Sequence, residues 1–564
     1  MWLINTDSFE LERWDNYEKE SYAILSHTWE DEEVSFQDFR DLEYARKKKG
    51  FVKIERTVQM ARCRNLNYAW VDTCCIDKTS SAELSEAINS MYRWYEDSAV
   101  CFAYLSDMPT QSNISERHPD DVLRQLEANF RASRWFTRGW TLQELVAPEQ
   151  VEFYDTEWNL VGTKIELQDL IEDFTKIPSH IIKKSQLRNG LYSHPHNELI
   201  ARRMSWAASR QTTRIEDTAY CLLGIFGINM PLLYGEGEKA FVRLQEEICK
   251  QTTDMSLFAW EAMPSSSSDD PLQEFRGLFA KHPSEFRGGH RIVTGHSPFE
   301  TIAPYLGEIS ITNRGIRFDE MRLWVSPEHG ILMDLGCCRN VDINGDIRNV
   351  SSHYICLAKL AEGFVRYKPS ILIQSRSRKP DDGWKSFDLP RFHISKDLSP
   401  AEAFRARSRY NDVSFFKFDK YVKGIIAWPM DLWDPHRNAF VRHPDHQENI
   451  ILVNVGDGIG HSESFIILIH TMLASTSLSV FSHQDREFTL LLPLIEKASI
   501  SSPTNRVHEY LQYCDRKGLI DPFRKAAEGI GKRFLVAAIS DDSFGPKASI
   551  QIHVVKRGPA KSTK

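Results

Sequence analysis

The sequence SRWFTRGWTLQEL occupies residues 133–145 and concentrates three large aromatic side chains, two arginines and one carboxylate. It lies between two strand-like apolar runs, Val100–Leu105 upstream and Val151–Tyr154 downstream. A helix-forming segment between two short apolar runs is typical of a unit in which helices connect neighbouring strands of one sheet. This stretch is therefore expected to carry the chemistry of the N-terminal half.

Within the stretch, Gly139 permits a tight turn and a helical pattern starts at Trp140. Trp140 and Glu144 are four residues apart and share one helix face. A carboxylate beside an indole near strand ends fits a small-ligand site. The alternative is a helix that buries Trp140 and leaves Glu144 in solvent.

Strand and helix signals alternate along the first 150 residues. Apolar runs of strand length alternate with segments whose apolar residues recur every three or four positions. This alternation predicts an α/β fold with a mostly parallel sheet. The predicted strands and helices are Tyr22–Ser26, Phe51–Cys63, Tyr68–Asp72, a helix capped by Ser80 and Ser81, Val100–Leu105, the helix after Gly139, and a strand from Val151.

Polar side chains follow the predicted strands at the point where each strand ends. In parallel sheets, ligands bind beyond the carboxyl ends of the strands. These residues are therefore candidate ligand contacts, although Ser, Thr and Asp after a strand also serve as helix caps and loop residues. The candidates are Ser26, His27, Trp29, Asp72, Thr73, Cys74, Ser106 and Asp107.

Composition limits the class of protein. A chain of 564 residues is too long for one core and predicts several domains. A net charge of −8 argues against nucleic-acid binding driven by bulk charge. No segment approaches the roughly 20 apolar residues that span a bilayer, and the N-terminus lacks the pattern of a secretion signal.

The ten cysteines include no C-x-x-C pair and mostly lie in apolar runs, so we expect free thiols, no metal site and a cytoplasmic location.

A Pro- and Ser-rich segment, residues 263–271, reads as a linker. It divides the chain into an N-terminal domain, residues 1–262, and a C-terminal region, residues 272–564. In that region strand-like runs recur from Gly315–Val325 to Ser549–Val555 and helical patterns are few, which predicts a mainly β structure of open role.

Four stretches together resemble the fungal heterokaryon-incompatibility (HET) domain in residues, order and spacing. The resemblance covers roughly the first 260 residues. The stretches are YAILSHTW at 22–29, WVDTCCID at 70–77, RGWTLQEL at 138–145 and RIEDTAY at 214–220.

The resemblance implies a role in self/non-self recognition with cell death as its output, a form of fungal innate immunity. The HET domain is in turn similar to TIR domains, which implies a TIR-like (flavodoxin-like) parallel sheet with helical additions. Several TIR domains cleave NAD at the nicotinamide–ribose bond with a glutamate that corresponds to Glu144. This chain departs from the TIR pattern at Arg138, where Ser is frequent, and at Thr141, where Cys is frequent.

What the resemblance implies for the site is a hydrolase of the NAD glycohydrolase (NADase) class. Glu144 would be the catalytic residue, with NAD or a related nucleotide as substrate rather than cofactor. The expected substrate-binding residues are Ser26, His27, Trp29, Asp72, Cys74, Arg138 and Trp140.

The expected partners are a second copy of the N-terminal domain and a protein from a non-self strain. The alternative function is a non-catalytic TIR-like module that relays a death signal by domain contacts.

Overall fold

The computed structural model describes most of the chain at the level of individual residues. The described residues are 1–14, 21–110, 119–184, 194–264, 269–294, 307–340, 350–375, 383–411, 413–442, 448–456, 462–471, 476–485, 489, 491–492, 526–530, 534–541 and 547–556. Of the predicted linker, residues 265–268 lie outside this set.

Two compact units make up the chain. The first comprises residues 1–263 with the later segments 279–306 and 335–353, and the second comprises residues 264–278, 307–334 and 354–564. The predicted domain boundaries at residues 262 and 272 stay a prediction. The first unit also includes two segments that follow them in the chain, residues 279–306 and 335–353.

The first unit is built on a seven-stranded sheet in the order β2-β1-β4-β3-β5-β6-β7. Neighbours in the run β4-β3-β5-β6 are parallel, while β1, β2 and β7 pair antiparallel at the edges. This confirms the predicted α/β fold, but the sheet is mixed, with three parallel and three antiparallel pairings, rather than mostly parallel. The strands are β1 Trp2–Asn5, β2 Leu11–Arg13, β3 Tyr22–His27, β4 Tyr68–Trp70, β5 Val100–Tyr104, β6 Val151–Tyr154 and β7 Leu160–Thr163.

The helices form where the apolar spacing predicts them. The helix Phe51–Cys63 has the predicted bounds. Ser80 caps the next helix by accepting a hydrogen bond from the Glu83 amide. The helices are α1 Phe36–Phe39, α2 Leu42–Ala45, α3 Phe51–Cys63, α4 Ser81–Glu96, α5 Pro119–Ala132, α6 Thr141–Val146, α7 Gln168–Thr175, α8 Ser179–Ile182, α9 Ile200–Trp206, α10 Asp217–Tyr220, α11 Leu223–Phe226 and α12 Lys239–Gln251.

The strand order switches direction beside β3. From β3 the chain moves to β4 on one side and then returns to β5 on the other, so the connections at the carboxyl ends of β3 and β5 diverge. Such a switch in strand order opens a crevice where open α/β sheets bind ligands. Ser26 and His27 end β3 at this point, and helix α6 follows from β5.

The chain after residue 272 is mainly β, as predicted, and its longest described helix is α13 Pro400–Asn411. Its strands are β8 Phe275–Arg276, β9 Ile292–Thr294, β10 Ile309–Thr312, β11 Gly315–Ser326, β12 Gly330–Asn340, β13 Val350–Leu360, β14 Gly363–Tyr367, β15 Ile373–Ser375, β16 Lys385–Ile394, β17 Val413–Phe418, β18 Val422–Trp428, β19 Trp433–Asp434, β20 Ala439–Val441, β21 Glu448–Gly456, β22 Ser462–Thr471, β23 Thr476–Ser482, β24 Ala526–Ile530, β25 Phe534–Asp541 and β26 Lys547–Lys556.

Two sheets of the second unit share an apolar core. One has the order β19-β20-β17-β26-β25-β24 and the other β18-β21-β22-β23. Their inward-facing side chains, such as Phe416, Val453, Ile467 and Val536, are buried together. Sheet-on-sheet burial of this kind explains the dense apolar alternation of the sequence here.

Helix α6 is held in place by a backbone clasp to residues 211–212. The Gly139 amide donates to the Gln211 carbonyl at 2.8 Å, and the Gln211 amide donates to the Thr137 carbonyl at 2.6 Å. A Cβ atom on Gly139 would lie 2.5 Å from the Thr212 Cγ2 methyl. Gly139 is therefore required for close approach of two chain segments, in addition to any role in the turn.

We predict that Gly139→Ala destabilises the protein by about 1–3 kcal/mol through overpacking at this clasp. Chemical denaturation of the purified variants measures the loss. Thr212→Ser deletes the clashing methyl and keeps the hydroxyl, so the double variant should recover most of the lost stability. A double variant as unstable as Gly139→Ala would show that the contact with Thr212 is not the cause.

Candidate active site

A chain of hydrogen bonds joins β3 to helix α6. The Ser26 hydroxyl donates to Oε2 of Glu144 in a short hydrogen bond. Ser26 Oγ in turn accepts from the indole Nε1 of Trp135 at 2.8 Å. Ser26 and Trp135 are both fully buried, so this chain fixes the position of the Glu144 carboxyl group.

The Glu144 carboxyl group is desolvated. Only 7 % of the residue is exposed. Burial raises its pKa to about 8, and the nearby carboxylate of Asp72 acts in the same direction. The hydrogen bond from Ser26 and the positive charges of Arg210 and Arg138 lower the pKa, but they do not outweigh burial. At neutral pH this group is therefore largely protonated in the empty site.

Arg210 is the buried cation of the site. Its guanidinium donates to the Arg138 carbonyl at 2.9 Å and to Thr141 Oγ1 at 2.8 Å, so it binds the start of helix α6. Burial lowers its pKa to about 10. Among the described residues, neither Arg210 nor Arg138 forms an ion pair with Glu144 within 4 Å, and Arg134 pairs instead with Glu30 and Asp107. Glu144 is thus not neutralised by a neighbouring arginine.

His27 lies between two carboxylates beside Ser26. Its ring atoms are 3.8 Å from Glu33 Oε2 and 3.9 Å from Asp72 Oδ1, and 1 % of its side chain is exposed. Both ring nitrogens and Asp72 Oδ1 are buried without a hydrogen-bond partner. Buried polar atoms that lack partners are rare in folded proteins and occur at functional sites. The His27–Asp72 gap is therefore a candidate contact point for a ligand.

The acidic residue Glu33 has an internal role. Its carboxylate contacts the Lys53 ammonium at 2.5 Å. Burial opposes ionisation of Glu33, but His27 and Lys53 favour the ion and lower its pKa to about 2. Glu33 therefore remains charged and keeps the loop after β3 in place.

Trp29 and Asp72 form the outer edge of the site. The Trp29 indole Nε1 donates to Asp72 Oδ2 at 2.8 Å, and 52 % of Trp29 is exposed. The Lys78 ammonium lies 3.6 Å from the centroid of the Trp29 ring. These residues come from the loops after β3 and β4, as the strand-end argument predicts.

The remaining predicted site residues lie in different surroundings. Cys74 is fully buried, its thiol faces the Val71 carbonyl, and burial raises its pKa well above the ordinary range. These surroundings are typical of a packing residue. Arg138 is half-buried and donates to Thr213 Oγ1 at 3.1 Å.

The half-buried indole of Trp140 interacts with the carboxyl group of Asp217, so it faces the segment 214–217. The roles of Cys74, Arg138 and Trp140 in substrate binding stay predictions.

Two residues that organise the site are absent from the predicted set. Trp135 is part of the stretch 133–145, but its indole could not be assigned to Ser26 without knowing that β3 lies beside it. Arg210 stands in a segment with no motif, and its position depends on the clasp between residues 137–139 and 211. Neither the contact of Trp135 with Ser26 nor that of Arg210 with the start of helix α6 produces a local sequence pattern.

Within the part of the chain that the structure describes, no group of three His, Cys, Asp or Glu side chains is arranged to hold a metal ion. No described helix has both the length and the apolar character needed to cross a membrane.

Comparison with known proteins gives two family matches and one relative. A family model described as "Heterokaryon incompatibility protein (HET)" matches residues 22–144, which run from β3 into α6. A second, "Domain of unknown function (DUF8212)", matches residues 239–317.

The chain is 46 % identical over 232 residues to "Vegetative incompatibility protein HET-E-1" of Podospora anserina. The matched region is 41 % of this chain and 16 % of that protein, so the chain spans a small part of the relative's length.

We predict that Glu144→Gln changes how stability depends on pH. The folded-state pKa of Glu144, about 8, lies above the unfolded value of 4.5, so folding binds a proton between these two pH values. The wild-type free energy of unfolding should therefore fall by up to about 1.4 kcal/mol per pH unit as pH rises through this window. The variant lacks this contribution, so its stability relative to wild type should increase from pH 5 to pH 8.

Chemical denaturation at pH 5, 6.5 and 8 measures the effect. Glu149→Gln, at an exposed position just after α6, is the matched control and should follow the wild type. Parallel pH profiles for Glu144→Gln and wild type would contradict the raised pKa.

Proposed function

We propose that this chain, whose residues 22–144 match the heterokaryon-incompatibility (HET) family model, acts in fungal vegetative incompatibility by cleaving NAD or a related nucleotide at the nicotinamide–ribose bond. Loss of the nucleotide would then trigger cell death. The observation that carries the proposal is the fixed, desolvated carboxyl group of Glu144 at the carboxyl end of β3.

The strand order supports a TIR-like arrangement. Numbered along the chain, the four parallel strands lie in the order second, first, third, fourth. This is the beginning of the flavodoxin-like order, in which ligands bind at the switch point beside the first strand. Ser26 and Glu144 meet at that point.

The chemistry needs one carboxylate at a charged centre. Cleavage breaks the bond between ribose C1′ and the pyridinium nitrogen, and the bonding electron pair leaves with nicotinamide, which becomes neutral. Positive charge develops on the ribose in an oxocarbenium-like transition state. Water then adds to C1′ and loses a proton, which gives the free ribose hydroxyl.

Glu144 suits this step because its surroundings strengthen electrostatic interactions. An ionised carboxylate in a site with little water interacts strongly with a cation. A bound pyridinium would favour the ionised form of Glu144, so substrate binding and ionisation support each other. Ser26 and Trp135 act as positioning residues, since they hold the carboxyl group through hydrogen bonds.

We predict that Glu144→Gln lowers the rate of NAD cleavage by on the order of 10²–10³, because the stabilising charge is lost while the shape is kept. In wild type the rate at subsaturating NAD should rise by on the order of tenfold from pH 7 to pH 9, as a group with a pKa near 8 ionises. Chromatographic measurement of nicotinamide release by purified protein tests both expectations.

Glu149→Gln is again the matched control and should cleave NAD at the wild-type rate. Expression of the same variants in fungal cells tests the link to death. If stably folded Glu144→Gln protein killed cells as well as wild type does, the catalytic role of Glu144 would be contradicted.

A second candidate function is a non-catalytic module that relays a death signal. The low exposure of Glu144 and its bond to Ser26 favour this alternative, because a buried protonated carboxyl group can also be a purely structural element. It would be the better account if wild-type protein releases no nicotinamide yet kills cells.

We also propose that the N-terminal unit self-associates and that a protein from a non-self strain activates it. The support is the exposed acidic tip after β3, where Asp31 and Glu32 point outward while Glu33 is bound internally by Lys53. Asp31→Lys with Glu32→Lys should shift the full chain towards monomer in light scattering and reduce killing. Unchanged mass and unchanged killing would exclude this surface.

A further inference from the structure

The exposed indole of Trp29 already holds a cation. The Lys78 ammonium lies 3.6 Å from its ring centroid, within the range of a cation–π contact. Among the described residues Lys78 forms no ion pair within 4 Å, and its ammonium lies against the indole face. An aromatic face that holds a lysine in this way has the properties of a cation-binding surface.

The indole is fixed rather than free to swing. Its Nε1 donates to Asp72 Oδ2 at 2.8 Å, so the ring and the carboxylate move together. The other oxygen of Asp72 is buried without a partner and faces His27, whose two ring nitrogens are also unpartnered. Unsatisfied polar atoms therefore adjoin the cation-binding face.

The local charge favours a cation over an anion. Asp72 and Glu33 are the acidic groups that act on Lys78, and the Asp72 carboxylate also acts on Glu144. A phosphate at this position would meet these carboxylates, whereas a positively charged ring would be attracted by them.

We propose that the face of Trp29 covered by the Lys78 ammonium is a binding site for a planar organic cation, an N-substituted pyridinium, and that Lys78 competes for this face. Ligand entry requires the ammonium to leave the ring. The pyridinium class rests on the proposed nicotinamide chemistry, while the competition between Lys78 and a cationic ring does not.

Competition of this kind sets charge selectivity. A cationic ring gains both the indole face and the field of Asp72, and can replace the ammonium. A neutral ring, such as free nicotinamide, gains only the stacking contact and leaves the ammonium's interaction uncompensated. The site should therefore discriminate between the pyridinium and the released neutral product.

The test is direct binding of N-methylnicotinamide cation, which has no glycosidic bond and cannot be cleaved. Lys78→Met keeps the aliphatic stem and removes the charge. Calorimetric titration of the full chain should show binding tightened about fivefold, the worth of one exposed cation–π contact. Neutral nicotinamide must displace the same ammonium, so it should gain by a similar factor in Lys78→Met while binding both proteins more weakly than the cation does.

Two controls separate occupancy of the ring from a general effect of charge. Lys49→Met removes a lysine that pairs with Glu32 of the same acidic loop at 3.8 Å, and it should leave binding of the cation within about twofold of wild type. Trp29→Leu in the Lys78→Met background should abolish the gain.

The outcomes are decisive in either direction. Equal or weaker binding of the cation to Lys78→Met, or an equal gain with Lys49→Met, overturns the competitor role. Neutral nicotinamide that binds wild type as tightly as the cation does overturns charge selectivity, and an unchanged affinity for neutral nicotinamide in Lys78→Met overturns the displacement of the ammonium. Tightened cation binding in a protein that fails to cleave NAD would uphold this inference while the proposed catalytic function fails.

Discussion

The structure of the candidate site depends on excluding water from one carboxyl group, that of Glu144. Glu144 is held by Ser26, which is held by Trp135, and burial of all three makes ionisation of the acid costly. A buried carboxylate destabilises the fold when it is charged and unpaired, and the charged form becomes favourable only when a cation binds beside it. The surrounding fold, from the clasp at Gly139 to the buried Arg210, serves to maintain this geometry against relaxation.

Sequence patterns predicted the elements of the first unit well because its strands are short, apolar and bounded by polar residues. β3, β5, β6 and helix α3 follow from local spacing, and the general location of the site follows from strand ends. That Ser26 and Glu144 lie close together could be expected from the positions of the strand ends. The burial of Glu144 could not be predicted, because solvent exclusion depends on Trp135 and on segments near residue 210 that are distant in the chain.

The predicted ligand contacts divide by depth for the same reason. Trp29 and Asp72 lie at the rim, His27 below them, and Cys74 in the core. All of them follow a strand, so sequence position alone could not separate them. What separates them is the conformation of each loop, set by contacts such as Lys53 with Glu33 that join residues twenty positions apart.

The clasp between residues 137–139 and Gln211 affects how far a fragment of the N-terminal domain must extend to hold helix α6 in place. The family match stops at residue 144, yet the guanidinium that secures the start of helix α6 comes from Arg210. A protein cut at residue 144 would lack Arg210, which binds the start of helix α6, and Asp217, which interacts with the Trp140 indole. The span of the family model is thus shorter than the segment that holds the carboxyl group of Glu144 in place.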